Sequence, residues 1–224
     1  MNTKQTTQNK QDIERVLEYL AQIPMTYDVQ PEEFGYSNPV LVCMDAVLSI
    51  NRKYNSFVVP RLQYFMQKYP DVTELANLKQ LVQEVGYDGF HLAWNYRHPA
   101  RVMVLERLAD RYIEHNLENE FADDLQGMRH WARSVAVTDY RHFGVEGIGL
   151  ATFQYLRMML GVSTIKPDVH IKKAMEAALG RKAGEIESIS LLEEASRALN
   201  LPATTVDHNL WRMFASDTTK LPQP

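Results

Sequence analysis

Residues 144–175 read GVEGIGLATFQYLRMMLGVSTIKPDVHIKKAM and hold the most unusual pattern in the chain. Gly147 and Gly149 bracket Ile148, and a helical pattern follows over residues 150–160. A glycine has no Cβ, so this backbone can adopt a positive φ and approach another molecule closely. The first N–H groups of the following helix have no internal partner, and the helix dipole adds partial positive charge there. The pattern fits an ordinary turn, but it also predicts a phosphate-binding turn with Ile148 packed inward.

A single carboxylate follows this helix. Asp168 lies between Pro167 and a second helical pattern, VHIKKAMEAALG. One interpretation is that Asp168 is the N-cap of the second helix. The other is a catalytic carboxylate. The two roles are compatible, because a helix N-terminus favours the ionised form of a carboxyl group.

The rest of the chain is predicted to be helical almost throughout, with glycine and proline as punctuation. Residues 1–9 are expected to be frayed, and the apolar run VLVCMDAVLSI predicts the most buried helix. Pro60 suits a helix start, and Asp71 with Glu74 suggests a capping box. No strand-like alternation of useful length occurs, so the expected fold class is all-α.

Composition limits the function. The chain has 224 residues, 45% apolar and 23% charged, which suffices for one large or two small domains. It has no run of 18 apolar residues, and its first residues are polar, so we expect a cytoplasmic protein without a membrane partner. The net charge of −4 argues against binding polyanions by bulk charge but leaves room for a local basic face. The single cysteine, Cys43, lies in an apolar run and is interpreted as a core thiol.

The segment VEGIGLATFQYLRMMLG…PDVHI resembles the helix-hairpin-helix and Gly/Pro-Asp (HhH-GPD) signature of the DNA glycosylase superfamily. That superfamily includes endonuclease III, adenine glycosylase and 3-methyladenine glycosylase. The matches to the hairpin are Gly147, Ile148, Gly149 and Thr152, and the matches to the aspartate motif are Asp168, His170 and Ile171. Upstream, AVLSINRKYNSFVVPRL resembles the early helix of the family, so the likeness spans residues 38–215.

The chain also departs from the family pattern. Glu146 replaces the hairpin proline and puts a negative charge beside the expected phosphate. Ala151 stands where strand-cleaving members have lysine, and an alanine cannot form a Schiff base. Phe153 replaces the alanine that usually follows the threonine. Without a cysteine cluster, the resemblance implies no iron–sulfur module.

The resemblance implies a two-lobed helical fold that binds double-stranded DNA in a cleft between the lobes. Residues 1–37 and 176–224 would form one lobe, and residues 38–175, with the helix-hairpin-helix at 143–160 and the Pro-Asp loop, would form the other. The resemblance also implies a monomer with no cofactor. We expect no metal site, because the histidines show no paired spacing with carboxylates. The function it implies is a monofunctional DNA N-glycosylase for base excision repair, with no strand-cleaving lyase activity.

The resemblance assigns roles to individual residues. Asp168 would be the catalytic carboxylate, and His170 would support its loop. Candidate contacts to the extruded base or the strand are Ser49, Asn51, Tyr54 and Trp94. Further aromatic candidates for a base pocket are Phe57, Tyr96 and Trp211, and the cations that could face DNA are Arg97, Arg101, Arg129, Arg133, Arg141, His142, Lys166, Lys172 and Lys173.

Two alternatives remain open on the residues alone. A non-catalytic DNA-binding module would keep the hairpin and tolerate replacement of Asp168. An α-helical interaction protein would have no nucleic-acid role, and salt-sensitive DNA binding would exclude this alternative.

Overall fold

The structure is a computed structural model that describes residues 3–215, with side chains from residue 8 onward. All regular elements in this range are helical, which confirms the all-α class. The α-helices are α1 (Thr3–Leu20), α2 (Pro39–Leu48), α3 (Val59–Lys68), α4 (Leu75–Gly89), α5 (His91–Trp94), α6 (Pro99–Glu118), α7 (Asp124–Ser134), α8 (Leu150–Met159), α9 (Val169–Leu179), α10 (Glu185–Ala198) and α11 (Ala203–Phe214).

Shorter elements complete the secondary structure. A π-helix covers Tyr54–Val58, and 3-10 helices cover Pro31–Glu33 and Val137–His142. Pro60 lies in the first turn of α3, as expected. The expectation that residues 1–9 are frayed is wrong for residues 3–9, which already belong to α1. Within the described residues, none of the helices combines the length and apolarity that crossing a membrane requires.

The chain divides into two compact units, the first of which joins the two ends of the described range. It runs to Phe34 and resumes at Val162. In this unit α1 packs against α9 and α10, and α11 packs against the same two helices. An ion-pair cluster supports the packing, because Arg181 contacts Asp12 at 2.7 Å and Glu187 at 2.6 Å.

The second unit covers Gly35 to Gly161 and contains α2 to α8. Helix α6 packs against α2, α4 and α7, and α2 also packs against α8. Every residue of α2 is buried, which confirms the prediction that this segment is the most buried helix. The aromatic rings of Trp131, Phe143 and Phe153 pack together with centroids 5.0 to 5.4 Å apart beside the hairpin.

The unit boundaries place the Pro-Asp loop with the first unit, whereas the resemblance assigned it to the central lobe with the hairpin. Hydrogen bonds to α10 and α11 explain this placement. Ser163 Oγ accepts from the Ala203 amide at 2.8 Å, and Thr164 donates to Glu193 Oε1 at 2.6 Å. The loop is therefore tied to the helices that follow it in sequence.

The N-terminus of α4 is capped from a distance. The Leu75 amide donates to Asp124 Oδ2 at 2.8 Å, from the first residue of α7. The capping box expected at Asp71 is therefore wrong, because α4 begins three residues later than a cap at Asp71 requires. The carboxylate of α7 replaces a local cap.

Candidate nucleic-acid interface

Asp168 is the N-cap of α9. Its Oδ1 accepts hydrogen bonds from the amides of His170 at 2.8 Å and Ile171 at 3.2 Å. Its other oxygen, Oδ2, accepts no hydrogen bond from the residues that the structure describes, and the side chain is half-buried. One oxygen therefore fixes the carboxylate on the helix, while the other remains available to a ligand or a water molecule.

A second carboxyl group, Asp207 on α11, lies behind the same loop. It is buried, and its Oδ1 accepts from the Lys166 amide at 2.8 Å. Burial raises the pKa of Asp207, and the negative charge of Asp168 raises this pKa further. The first unit thus holds two neighbouring carboxyl groups in different environments, one buried and one half-buried.

His170 contributes to the loop through its backbone, which bonds to Asp168. Its imidazole packs edge-on against Trp211, with ring centroids 6.3 Å apart. Its Nδ1 is buried and has no hydrogen-bond partner within the described part of the chain. The ring is therefore held by packing, and Trp211, another predicted pocket aromatic, lies beside the Asp168 loop.

The glycine hairpin of the second unit needs only one of its two glycines for conformation. Gly147 has φ +93°, whereas Gly149 has φ −87° and ψ 178°, an extended backbone that any residue adopts. The positive φ that the sequence pattern permits at this turn is therefore adopted at Gly147 and not at Gly149. Ile148 is buried between them, as predicted. A Cβ on Gly147 would lie 2.9 Å from Val104 Cγ2, so close packing on α6 also requires glycine.

The helix that follows this hairpin begins without a side-chain cap. Gly149 occupies the N-cap position of α8, and it has no side chain that could accept from the first-turn amides. Thr152 and Ala151 lie in that first turn and are half-buried. The amides of the first turn are thus free of a competing side-chain cap, as a phosphate-binding turn requires.

The charge of Glu146 is compensated within the second unit. Its Oε2 contacts Arg107 at 3.1 Å, and its side chain is 89% exposed. Such an exposed pair is weak. The acidic replacement of the hairpin proline is therefore paired with a cation, Arg107.

The C-terminal end of α2 contains a carboxylate that the sequence analysis did not select. Asp45 is fully buried and accepts from three hydroxyl groups: Tyr36 at 2.6 Å, Ser49 at 2.7 Å and Tyr54 at 3.0 Å. Burial and the charge of Asp45 raise the pKa of both tyrosines. Ser49 and Tyr54, two predicted base or strand contacts, thus have their hydroxyls on Asp45.

The turn after α2 is held by Arg101. Its guanidinium donates to the carbonyl oxygens of Val47 at 2.9 Å and Leu48 at 3.1 Å, and also to that of Ile50. Arg101 is buried, so the expectation that it faces DNA is wrong; it caps a helix end instead. Asn51, the residue after Ile50, is exposed, and its backbone is in the left-handed conformation with φ +52°. Of the predicted strand contacts, Asn51 is the one that the fold presents to solvent.

Trp94, a predicted base contact, is a core residue. It is 0% exposed and its indole N–H donates to the Tyr96 carbonyl. The accessible aromatic is Tyr96, which forms the basic-aromatic surface with Arg52, Phe57 and Arg61. Arg61 stacks 3.6 Å above the centre of the Phe57 ring, and Arg52 donates to the Tyr96 hydroxyl at 2.9 Å. Arg52 is exposed and the other three are half-buried.

Charge is segregated around this surface. Residues 46–70 and 89–105 contain no aspartate or glutamate, although the whole chain has a net charge of −4. The cations of these two segments are Arg52, Lys53, Arg61, Lys68, Arg97 and Arg101. Because Arg101 is buried, the remaining cations supply the surface charge. This part of the second unit is a local basic face on an acidic protein.

The other predicted cations divide into exposed and paired groups. Arg133, Arg141 and His142 are exposed shortly before the hairpin. Lys172 contacts Glu185 at 2.6 Å, so its charge is shared within the first unit.

Cys43 is fully buried, as predicted, and burial raises the pKa of its thiol, which excludes an activated nucleophile there. Among the described residues, no cluster of three or more His, Cys, Asp or Glu side chains could hold a metal ion. His115 and His130 do meet, with Nε2 and Nδ1 3.2 Å apart, but as a stacked pair with Phe121.

Two carboxyl groups were missed by the sequence analysis. Asp45 is the single charged residue of an apolar helix, and that isolation was the available signal. Asp207 carries no local signal, because its partner is an amide 41 residues earlier in the chain.

A family model described as "Domain of unknown function (DUF8548)" matches residues 14–215, so the chain belongs to this family. The match covers both compact units. Comparisons with curated proteins and with solved structures gave no match.

Proposed function

We propose that this protein is a monofunctional DNA N-glycosylase of the HhH-GPD type, with Asp168 as its catalytic carboxylate. The observation that carries the proposal is the geometry of Asp168, whose Oδ1 is fixed by two α9 amides while Oδ2 is left without a partner among the described residues. A half-buried carboxylate that is fixed at a helix N-terminus supports the catalytic role that the motif assigns to Asp168.

The chemistry needs a carboxylate of this kind. Cleavage of an N-glycosidic bond passes through a cationic, oxocarbenium-like sugar, and a fixed negative charge near C1′ stabilises that cation. The same carboxylate orients or deprotonates the attacking water. Oδ2 of Asp168 would perform both tasks. Ala151 supplies no amine, so the product would be an abasic site on an intact strand.

DNA binding would use surfaces of the second unit. The uncapped first turn of α8 would bind one phosphate, and Arg141 and His142 would add positive charge beside it. The basic-aromatic surface would contact the strand by cation–phosphate attraction and by stacking, with Asn51 next to it. Because the target base must leave the stack, such contacts would also stabilise the distorted duplex.

The test is base excision by the purified full chain. End-labelled duplexes carrying uracil, alkylated, oxidised or mismatched bases are incubated with the protein, and hot alkali then reveals abasic sites. Asp168→Asn keeps an N-cap side chain and should therefore fold but lose excision. Asp123→Asn is the matched control, because Asp123 caps α7 in the same way, accepting from the Gln126 amide at 2.6 Å.

Each outcome separates the alternatives. Excision by the wild type and by Asp123→Asn, but not by Asp168→Asn, would establish the glycosylase and its base class. Silence on every duplex with salt-dependent DNA binding intact would favour the non-catalytic module. Silence without binding would leave the interaction protein.

A further inference from the structure

We propose that Asp207 is a positioning residue for Asp168, because its side chain binds the backbone amide of Lys166, two residues before Asp168. The role in catalysis rests on the proposed function, whereas the anchoring of the loop does not. The contacts that carry the inference all lie within the first unit.

The contacts form one continuous chain from α11 to α9. Asp207 Oδ1 accepts from the Lys166 amide at 2.8 Å, and the Lys166 carbonyl accepts from the Asp168 amide at 2.7 Å. Asp168 Oδ1 then accepts from the His170 and Ile171 amides of α9. Through its amide and its carbonyl, Lys166 therefore connects the buried carboxyl group to the backbone of the proposed catalytic residue.

Two further anchors lie at the beginning of the loop, where Ser163 and Thr164 bond to the start of α11 and to α10. Asp207 holds the loop at Lys166, two residues before Asp168. Its removal would free the last residues before α9, and a displacement of about 1 Å can cost about a hundredfold in rate when a reacting group must be aligned.

The charge of Asp207 matters as well as its position. The charged groups that face it are Asp168 and Lys166. Burial and the Asp168 charge raise the pKa of Asp207 to about 8, so at neutral pH it holds the loop mainly as an uncharged carboxylic acid. Above this pKa a second negative charge appears behind the loop.

The experiment compares Asp207→Asn and Asp207→Leu with the wild type. Asparagine keeps the acceptor oxygen for the Lys166 amide, and leucine removes it at similar volume. The matched control is Asn209→Leu, because Asn209 is also buried on α11 but bonds to the Tyr27 backbone instead. The readouts are the NMR chemical shift and hydrogen exchange of the Lys166 amide, together with base excision.

We expect the Lys166 amide shift of the wild type to titrate with the same midpoint as the Asp207 carboxyl carbon, and to stay flat over that range in Asp207→Asn. Excision should fall about tenfold or more in Asp207→Leu and be retained in Asp207→Asn and Asn209→Leu. The Lys166 amide should exchange faster in Asp207→Leu alone.

The inference would be overturned if the Lys166 amide chemical shift did not titrate with the Asp207 midpoint. It would also be overturned if a folded Asp207→Leu variant kept the wild-type hydrogen exchange of the Lys166 amide and the wild-type excision. If Asp207→Leu does not fold, the titration of the wild type against Asp207→Asn decides alone. If the wild type excises no base but the Lys166 amide behaves as expected, the proposed function fails and the anchoring role of Asp207 stands.

Discussion

The hydroxyl of Tyr36 donates a 2.6 Å hydrogen bond to Oδ2 of Asp45, which is buried at the centre of α2 packing. Tyr54 donates to the same oxygen from the π-helix, and Ser49 donates to the other oxygen from the end of α2. One carboxylate therefore joins the segment before α2, the end of α2 and the segment after it. These segments flank the turn that presents Asn51.

Asp45→Ala should lower the free energy of unfolding by about 3 kcal/mol, because it leaves buried hydroxyls without their acceptor. Asp45→Asn keeps one acceptor oxygen and should cost less. Urea unfolding followed by circular dichroism measures both. An Asp45→Ala protein as stable as the wild type would show that the hydroxyls find other partners.

Gly147→Ser should destabilise the protein by about 1–2 kcal/mol, since a side chain at φ +93° is strained and its Cβ meets Val104. Gly149→Ser, the same change two residues later, should be neutral or slightly stabilising. Its backbone is extended, no atom lies within 4 Å of the new Cβ, and serine is a favoured N-cap. Thermal unfolding of the two variants compares them directly. Equal melting temperatures would contradict the distinction between the two glycines.

Stability should depend on pH through Asp207 and His208. Burial raises the pKa of Asp207 from 3.8 to about 8, so the folded state binds the extra proton and stability falls as pH rises between these values. Burial, with the nearby Arg212, lowers the pKa of His208 from 6.5 to about 4, so its contribution rises over that range. Each slope is at most about 1.4 kcal/mol per pH unit.

The two slopes have opposite signs between pH 4 and 6.5 and should nearly cancel there. Above pH 6.5 only Asp207 contributes, and the wild type should lose about 2 kcal/mol by pH 8. Asp207→Asn should remove that loss and show a rise from pH 4 to 6.5. Urea unfolding at half-unit pH intervals gives both curves, and parallel curves would refute the assignment.

Under the proposed function, Glu146→Gln should strengthen DNA binding about fivefold at low salt, since it removes a negative charge beside the hairpin worth about 1 kcal/mol at close range in water. It also releases Arg107 from its 3.1 Å ion pair. Glu120→Gln, in the exposed turn after α6, changes the net charge equally and is the control. Fluorescence anisotropy at two salt concentrations measures the affinities. An equal gain in both variants would trace the effect to net charge and not to the hairpin.

Features that depend on neighbouring residues could be predicted from the sequence. The N-cap at Asp168, the burial of Ile148 and the helix start at Pro60 each depend on residues within a few positions. The pattern could not show that Gly149 is extended, because Gly-x-Gly does not say which glycine takes positive φ.

Features that depend on contacts between distant residues could not be predicted from the sequence. Arg101 was counted among the cations that could face DNA, but the α2 carbonyls it caps are more than fifty positions earlier. Trp94 and Tyr96 could not be told apart as core and surface, since Trp94 ends the four-residue helix α5 and Tyr96 follows it, and so short a stretch shows no periodicity. The role of Asp207 could not be predicted, because its hydrogen-bond donor, the Lys166 amide, lies 41 residues earlier in the chain.

The carboxylate that serves α4 comes from Asp124, 49 residues further along the chain. A helix whose cap arrives so late gains little from local folding, so α4 as an isolated peptide should be mostly unfolded in water. Asp124 also accepts from Asn116 of α6 at 3.0 Å. Three helices thus share one side chain, so loss of Asp124 would remove a contact from all three at once.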